Sequence, residues 1–231
     1  MESSTFMGGT ALRVFDPVFL KFVYQQILIM YHLNHKAPPV FPGPFPSATL
    51  KFEPLDELKT RGSHYVACPL PQQDRALRMY VMFFTRKTEH YCACVDAALT
   101  VHLLHDVKAP RFIYRGTLMD GYAVPSSSSS SGGLHFMATD LVYSSSYSLV
   151  NYGLLDRMKV CSELVPQIQS APFFDICLMP YVRARDLTRL LEQITLLDFA
   201  CSAVLFIANK CPVKVGEHPM SFVLTPEQLQ T

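Results

Sequence analysis

The sequence predicts an α+β fold with mostly antiparallel sheets flanked by helices. From Tyr65 onward, short runs rich in valine, tyrosine and phenylalanine follow one another, and the spaces between them are too short for crossover helices. Two later stretches, at about 149–164 and 185–196, carry apolar residues at helical spacing. Hydrophobic residues make up 49% of the 231 residues and charged residues 17%, which is enough apolar material for a sizeable core.

The first element is an amphipathic helix over Val18 to Leu33. Its apolar side chains recur at steps of three and four residues, while Lys21, Gln25 and His32 interrupt the apolar run. A membrane span would need a longer uninterrupted apolar stretch. The segment therefore predicts a helix packed on a core.

A proline-rich stretch, APPVFPGPFPSATL at residues 37–50, follows the helix and favours extended chain. It divides the chain into an N-terminal helical segment (1–36), a connector (37–50) and the main domain (51–231). Within the main domain, six serines ending in two glycines predict a loop between two strands. After the helix at 149–164 we expect a strand in FFDICLMPYV, a second helix, and two strands in SAVLFIA and MSFVLT.

Composition narrows the functional classes. The formal charge of +1 gives no global attraction to nucleic acid or to a membrane surface. The seven cysteines are scattered and mostly lie in apolar runs, which is typical of reduced, buried thiols. The first residues lack the features of a secretory signal. We therefore predict a nuclear or cytoplasmic protein that is not secreted and has no membrane contact.

We predict no metal site, because His90–Cys94 lacks zinc-ligand spacing and a second ligand pair.

Several segments, taken in order, resemble the nucleotidyltransferase domain of mRNA capping guanylyltransferases. The resemblance implies the nucleotidyltransferase fold of that superfamily, which is related to ATP-grasp and adenylation domains. The segments span about Phe41 to Pro226 and are FPGPFPS (41–47), YVAC (65–68), RGTLMDGYAV (115–124), FMATDLVY (136–143), the helical stretch 152–165, SAVLF (202–206) and VLTP (223–226).

The resemblance implies a set of nucleotide-binding residues. Arg75 or Arg78 corresponds to the arginine of the family's lysine motif, although an exposed arginine on an edge strand is the alternative interpretation. Asp120 and Gly121 match the Asp-Gly pair of the family's third motif, but a tight hairpin also favours Asp-Gly. Phe136 corresponds to the aromatic residue that stacks on the guanine base.

The residues that would perform catalysis are missing. No lysine follows YVAC, where the family places the amine that attacks the α-phosphate. The acids of the third and fourth motifs and the paired lysines of the fifth are also replaced, and we expect no C-terminal OB-fold. We therefore predict no catalytic residue and a pseudoenzyme. It would need no cofactor, with Mg²⁺ required only if it is active.

The predicted function is binding of a guanine nucleotide or an RNA 5′ cap in RNA processing. A weaker likeness, carried by YVACP and RAL, to the cap-binding domain of snurportin supports this prediction. One alternative is an active guanylyltransferase subunit that uses Lys59 or receives its lid from a protein partner. A scaffold with an empty groove is the other. His105, His135 and Asp140 are not predicted to form an acid–base set, because a lone histidine on an apolar strand is more often a core residue.

Overall fold

The computed structural model describes residues 2–6, 9–36, 38, 41–43, 45–46, 64–72, 74–126, 133–210, 212–213, 217–218 and 221–225. Its strands are β1 Glu2–Phe6, β2 Gly9–Arg13, β3 Phe45–Pro46, β4 Tyr65–Pro71, β5 Leu77–Arg86, β6 Glu89–Asp96, β7 Val101–Leu103, β8 Thr117–Pro125, β9 Leu134–Ser144, β10 Tyr147–Ser148, β11 Phe174–Leu178, β12 Val182–Arg183, β13 Cys201–Ala208, β14 Glu217–His218 and β15 Ser221–Leu224. Its α-helices are α1 Pro17–Met30, α2 Leu154–Leu164 and α3 Leu187–Ile194.

Two sheets of unequal size contain most of the described strands, and β3 and β14 form a separate parallel pair. The large sheet has the strand order β1-β2-β7-β6-β5-β8-β9-β10, and β11 pairs in parallel with β9. The smaller sheet has the order β12-β4-β13-β15, with its described pairs antiparallel. Strands β4 and β13 therefore lie side by side although more than a hundred residues separate them in the chain.

The sheets and helices stack in layers with apolar cores between them. One face of the large sheet packs against α2, where Met158 and Cys161 are buried. The opposite face is covered in one part by α1, through Phe19 and Val23, and in another part by the smaller sheet. Helix α3 covers the outer face of the smaller sheet through Leu190. Each sheet is thus buried on both faces, which explains the nearly continuous apolar runs of β4 and β5.

The β8–β9 pair contains two register shifts. They lie between Leu118 and Met119 and between Asp120 and Gly121, and each leaves one extra residue on β9. Thr139, one of the extra residues, donates its hydroxyl to the Asp120 carbonyl oxygen at 3.1 Å. A side chain at Gly121 would meet the Met137 carbonyl oxygen at 2.3 Å, so this close approach requires glycine. The shifts place Asp120 directly opposite Asp140.

The predicted strands and helices are largely confirmed. The first helix begins at Pro17, where the Asp16 side chain accepts a hydrogen bond from the Val18 amide. It ends at Met30, three residues earlier than predicted. The serine run does connect two paired strands, β8 and β9. None of the described helices is both long enough and apolar enough to cross a membrane.

Two features differ from the expectation. Residues 2–6 and 9–13 form a hairpin that joins the large sheet through β7, although their sequence is too polar to predict strands. The Asp120–Gly121 pair lies inside β8 and not in a tight turn, so the hairpin interpretation of this pair is wrong. The proposed division at residues 36 and 50 stays a prediction.

Candidate functional site

A buried ion pair lies where the large sheet meets the smaller one. Arg78 on β5 donates to Asp120 Oδ2 on the neighbouring strand β8. The side chain of Asp120 is 0% exposed and that of Arg78 13% exposed. Arg78 belongs to a central strand, since β5 pairs with both β6 and β8, so the edge-strand interpretation of this arginine is wrong.

Aromatic side chains surround this pair. The Arg78 guanidinium lies 4.7 Å from the centre of the Tyr122 ring, on the side that faces the smaller sheet. Tyr80 follows on the same face of β5 and stacks against Phe41, with ring centres 4.3 Å apart. The Tyr80 hydroxyl accepts a hydrogen bond of 2.9 Å from the Gly43 amide. The FPG segment at 41–43 is thus held against the strand that carries Arg78.

The electrostatics of the pair are set by burial. Removal from water raises the pKa of Asp120 to about 7, even though Arg78 acts in the opposite direction and favours the charged form. The nearby Asp140 carboxylate raises the pKa of Asp120 further. The Asp120 carboxylate raises the pKa of Arg78 against the effect of burial, so this guanidinium stays charged. Asp120 Oδ1 is buried and makes no hydrogen bond within the described part of the chain.

A second buried ion pair lies beside the first. Arg157 on α2 donates to Asp140 through two parallel hydrogen bonds, from Nε to Oδ1 at 2.6 Å and from a terminal nitrogen to Oδ2 at 2.7 Å. Asp140 Oδ1 also accepts from the Leu141 amide at 2.8 Å, and Arg157 donates to the Tyr152 carbonyl oxygen. This geometry ties α2 to the centre of the large sheet. This pair was not predicted, because Asp140 and Arg157 belong to different predicted segments.

The other predicted site residues do not all join this cluster. Gly121 lies next to Asp120 and allows the close approach of β8 and β9. Arg75 is exposed in a turn before β5 and lines a cavity of about 190 Å³ together with Asp198 and Phe199. Phe136 is 0% exposed and packs against Phe174, in the core on the α2 side of the sheet. The Phe136 ring therefore has no face accessible to a base, which corrects its expected role.

The candidate nucleophile Lys59 lies outside the described residues. Cys68 on β4 is buried, and burial raises its pKa to about 12, so its thiol stays protonated at neutral pH. The segments expected to carry the fourth and fifth motifs, in β13 and β15, pair with each other, and β13 pairs with β4.

His105, His135 and Asp140 do not form an acid–base set. His105 is exposed, and Asp140 is engaged by Arg157. His135 instead lies beside two other carboxylates, with Nδ1 at 3.8 Å from Asp175 Oδ2 and Nε2 at 3.4 Å from Asp198 Oδ2. Spacing in the sequence could not reveal these neighbours, which are about 40 and 60 residues away.

No protein-family model matches the chain, and no curated protein matches it. Among solved structures, the chain is similar to the ligase domain of LigD from M. tuberculosis, with a TM-score of 0.45 and 13% identity over 79% of this chain and 57% of that one. It is also similar to a mycobacterial DNA ligase D complexed with ATP and MES, with a TM-score of 0.45 and 13% identity over 81% of this chain and 60% of that one. For a Lig E DNA ligase the TM-score is 0.41, with 13% identity over 71% of this chain and 62% of that one. The chain spans about three fifths of the length of these structures. TM-scores below 0.5 establish neither a common fold nor a common activity.

Proposed function

We propose that this chain is a nucleotidyltransferase-like domain that binds a guanine nucleotide or an RNA 5′ cap and has lost covalent chemistry. One observation carries the proposal: the segments that resemble the capping family converge in space. The FPG segment, Arg78 and Asp120 form one cluster, and β4, β13 and β15 form the sheet that packs beside it.

The charges of the cluster support binding without covalent transfer. Arg78 and Arg157 are each engaged by a carboxylate, and both stay charged. Among the described residues, no lysine contributes to the electrostatics of Arg78, Asp120 or Cys68. Covalent transfer of a nucleotide needs an amine that can lose its proton, and arginine does not supply one.

The same cluster offers a way to hold a phosphate. Because the pKa of Asp120 is raised to about 7, this carboxyl takes up a proton near neutral pH. Its protonation would weaken the ion pair with Arg78 and favour a charge-assisted hydrogen bond from this guanidinium to a phosphate oxygen. Affinity for the nucleotide should therefore rise as the pH falls from 8 to 6.

Binding is tested by thermal shift with GDP, GTP and a methylated cap analogue, with ATP as the control for the base. A ligand at 100 times its Kd should add about 2.7 kcal/mol to the free energy of unfolding. Arg78→Met should abolish the shift, whereas Asp120→Asn should keep it and remove its pH dependence. Arg111→Ala, an exposed arginine in another loop, is the matched control. Absence of any shift in the folded wild-type protein would favour the scaffold interpretation.

Covalent chemistry is tested separately with labelled GTP and Mg²⁺, followed by denaturing electrophoresis. The proposal expects no labelled band at the mass of the chain. A band that disappears in Lys59→Ala would overturn the pseudoenzyme proposal in favour of an active subunit.

A further inference from the structure

A second cluster of polar side chains lies at the β11 edge of the large sheet, apart from the Arg78–Asp120 pair. It consists of His135 at the start of β9 and of Asp175 and Cys177 on β11. All three side chains are partly exposed. None of the three residues belongs to the nucleotide site proposed above.

The parallel pairing of β9 with β11 brings these residues together. Asp175 lies opposite His135 and Cys177 opposite Met137 in the register. Alternate residues of a strand face the same side of a sheet, so Asp175 and Cys177 project on one side. Phe174 and Ile176 face the other side and are buried in the core. The backbone therefore fixes which atoms can meet on the open side.

Three potential ligand atoms form a nearly equilateral triangle. Cys177 Sγ lies 3.3 Å from Asp175 Oδ2 and 3.7 Å from His135 Nδ1, and the last two atoms are 3.8 Å apart. A tetrahedral zinc ion with bonds of about 2.0–2.3 Å separates its ligand atoms by about 3.3–3.8 Å. One ion can thus contact all three atoms with little movement of the side chains.

Neighbouring groups orient these ligands. The other ring nitrogen of His135, Nε2, lies 3.4 Å from Asp198 Oδ2, and Asp198 in turn accepts a hydrogen bond of 2.7 Å from Ser126 Oγ. Asp175 Oδ1, the oxygen that points away from the triangle, accepts a hydrogen bond from Ser170. Metal-binding histidines commonly donate their second nitrogen to a carboxylate, which fixes the tautomer and the ring orientation.

We propose that His135, Asp175 and Cys177 bind a zinc ion through Nδ1, Oδ2 and Sγ, with a fourth coordination position left open for water or an exogenous ligand. Three protein ligands with one open position distinguish such a site from a closed structural zinc site, which has four. A thiolate and an imidazole favour zinc over Mg²⁺ and Ca²⁺, which prefer oxygen ligands.

Zinc binds the thiolate form of cysteine. Binding therefore forms the sulfur–zinc bond and releases the thiol proton of Cys177 to solvent.

The test uses the full chain stripped with a chelator and titrated with Co²⁺ as a spectroscopic substitute, then with Zn²⁺ to displace it. We expect one equivalent of Co²⁺, ligand-field bands of tetrahedral type and a thiolate-to-cobalt charge-transfer band. Cys177→Ser should remove the charge-transfer band, and Asp175→Asn should lower the affinity without affecting folding, since Asp175 is at the surface. Cys201→Ser, another partly exposed thiol, is the control and should leave the spectrum unchanged.

Asp198→Asn should weaken zinc binding about 10- to 100-fold while keeping the charge-transfer band, because Asp198 acts through His135. The proposal is overturned if the wild-type chain shows no thiolate–cobalt band. It is equally overturned if the band survives in Cys177→Ser or disappears in Cys201→Ser.

Discussion

The two buried arginine–aspartate pairs are neighbours but differ in how completely their hydrogen bonds are satisfied. Arg157 and Asp140 share two parallel hydrogen bonds, and backbone groups at Leu141 and Tyr152 complete them. In the other pair, Asp120 keeps a buried oxygen without a hydrogen bond in the described structure. The first pair therefore behaves as a structural clamp, whereas the hydrogen bonding of the second pair is less complete.

The largest effect should come from breaking the clamp. Arg157→Ala leaves the Asp140 carboxylate buried without its cation and should lower the free energy of unfolding by about 3–5 kcal/mol. Urea denaturation measures this loss. The double variant Arg157→Met with Asp140→Leu should recover much of it, because both charges are then removed. A loss below about 1 kcal/mol in the single variant would contradict the structural role.

The pH dependence of the second pair should be the next largest effect. The pKa of Asp120 is about 7 in the folded chain and near 4 in an unfolded one. A raised folded-state pKa contributes stability that is complete below about pH 4 and is lost as the pH rises to about 7. The corresponding loss in the free energy of unfolding is up to about 4 kcal/mol, because a shift of one pKa unit corresponds to about 1.4 kcal/mol.

The reference for this measurement is Asp120→Asn, which cannot titrate. The stability of the wild-type chain should fall relative to that of the variant between pH 4.5 and pH 8, as measured by urea denaturation. A constant difference between the two proteins over this range would show that Asp120 does not hold its proton.

Gly121→Ala should damage the Arg78–Asp120 pair selectively. The added Cβ would meet the Met137 carbonyl oxygen at 2.3 Å, so the strands must separate where β8 carries Asp120. We expect a loss of about 1–3 kcal/mol in the free energy of unfolding, as for other overpacked sites. Gly153→Ala, whose nearest contact would be 3.0 Å, is the milder control. Equal losses at both positions would argue against a special role for the close approach.

The smallest effect on stability should follow Arg75→Ala. Arg75 is exposed, and surface substitutions usually change stability by less than about 0.5 kcal/mol. If the adjacent cavity contributes to nucleotide binding, the affinity for GTP should fall in a titration while the melting temperature stays unchanged. An unchanged affinity would restrict the nucleotide site to the Arg78–Asp120 pair.

Local pattern was sufficient to predict most of the large sheet and its helices, because buried strands and amphipathic helices leave a clear periodicity in apolar residues. It was insufficient for β1 and β2, which join the large sheet through pairing of β1 with β2 and of β2 with β7. Resemblance placed Arg78 and Asp120 in one site. The resemblance could not reveal that the Phe136 ring is buried. Beyond a bulge, the side of the sheet that a residue faces depends on how the strands pair in the folded chain.

The two extra residues on β9 have a further consequence for tolerance to insertion and deletion. Each bulge inverts the alternation of side chains relative to β8, and two together restore it. Deletion of a single residue between Met137 and Val142 would make every β9 side chain from that point back to Leu134 face the opposite side of the sheet. His135 would then move from the open side into the core. Deletion of one residue at each bulge would leave these side chains on their present sides of the sheet. Evolution along this strand should therefore proceed in paired length changes.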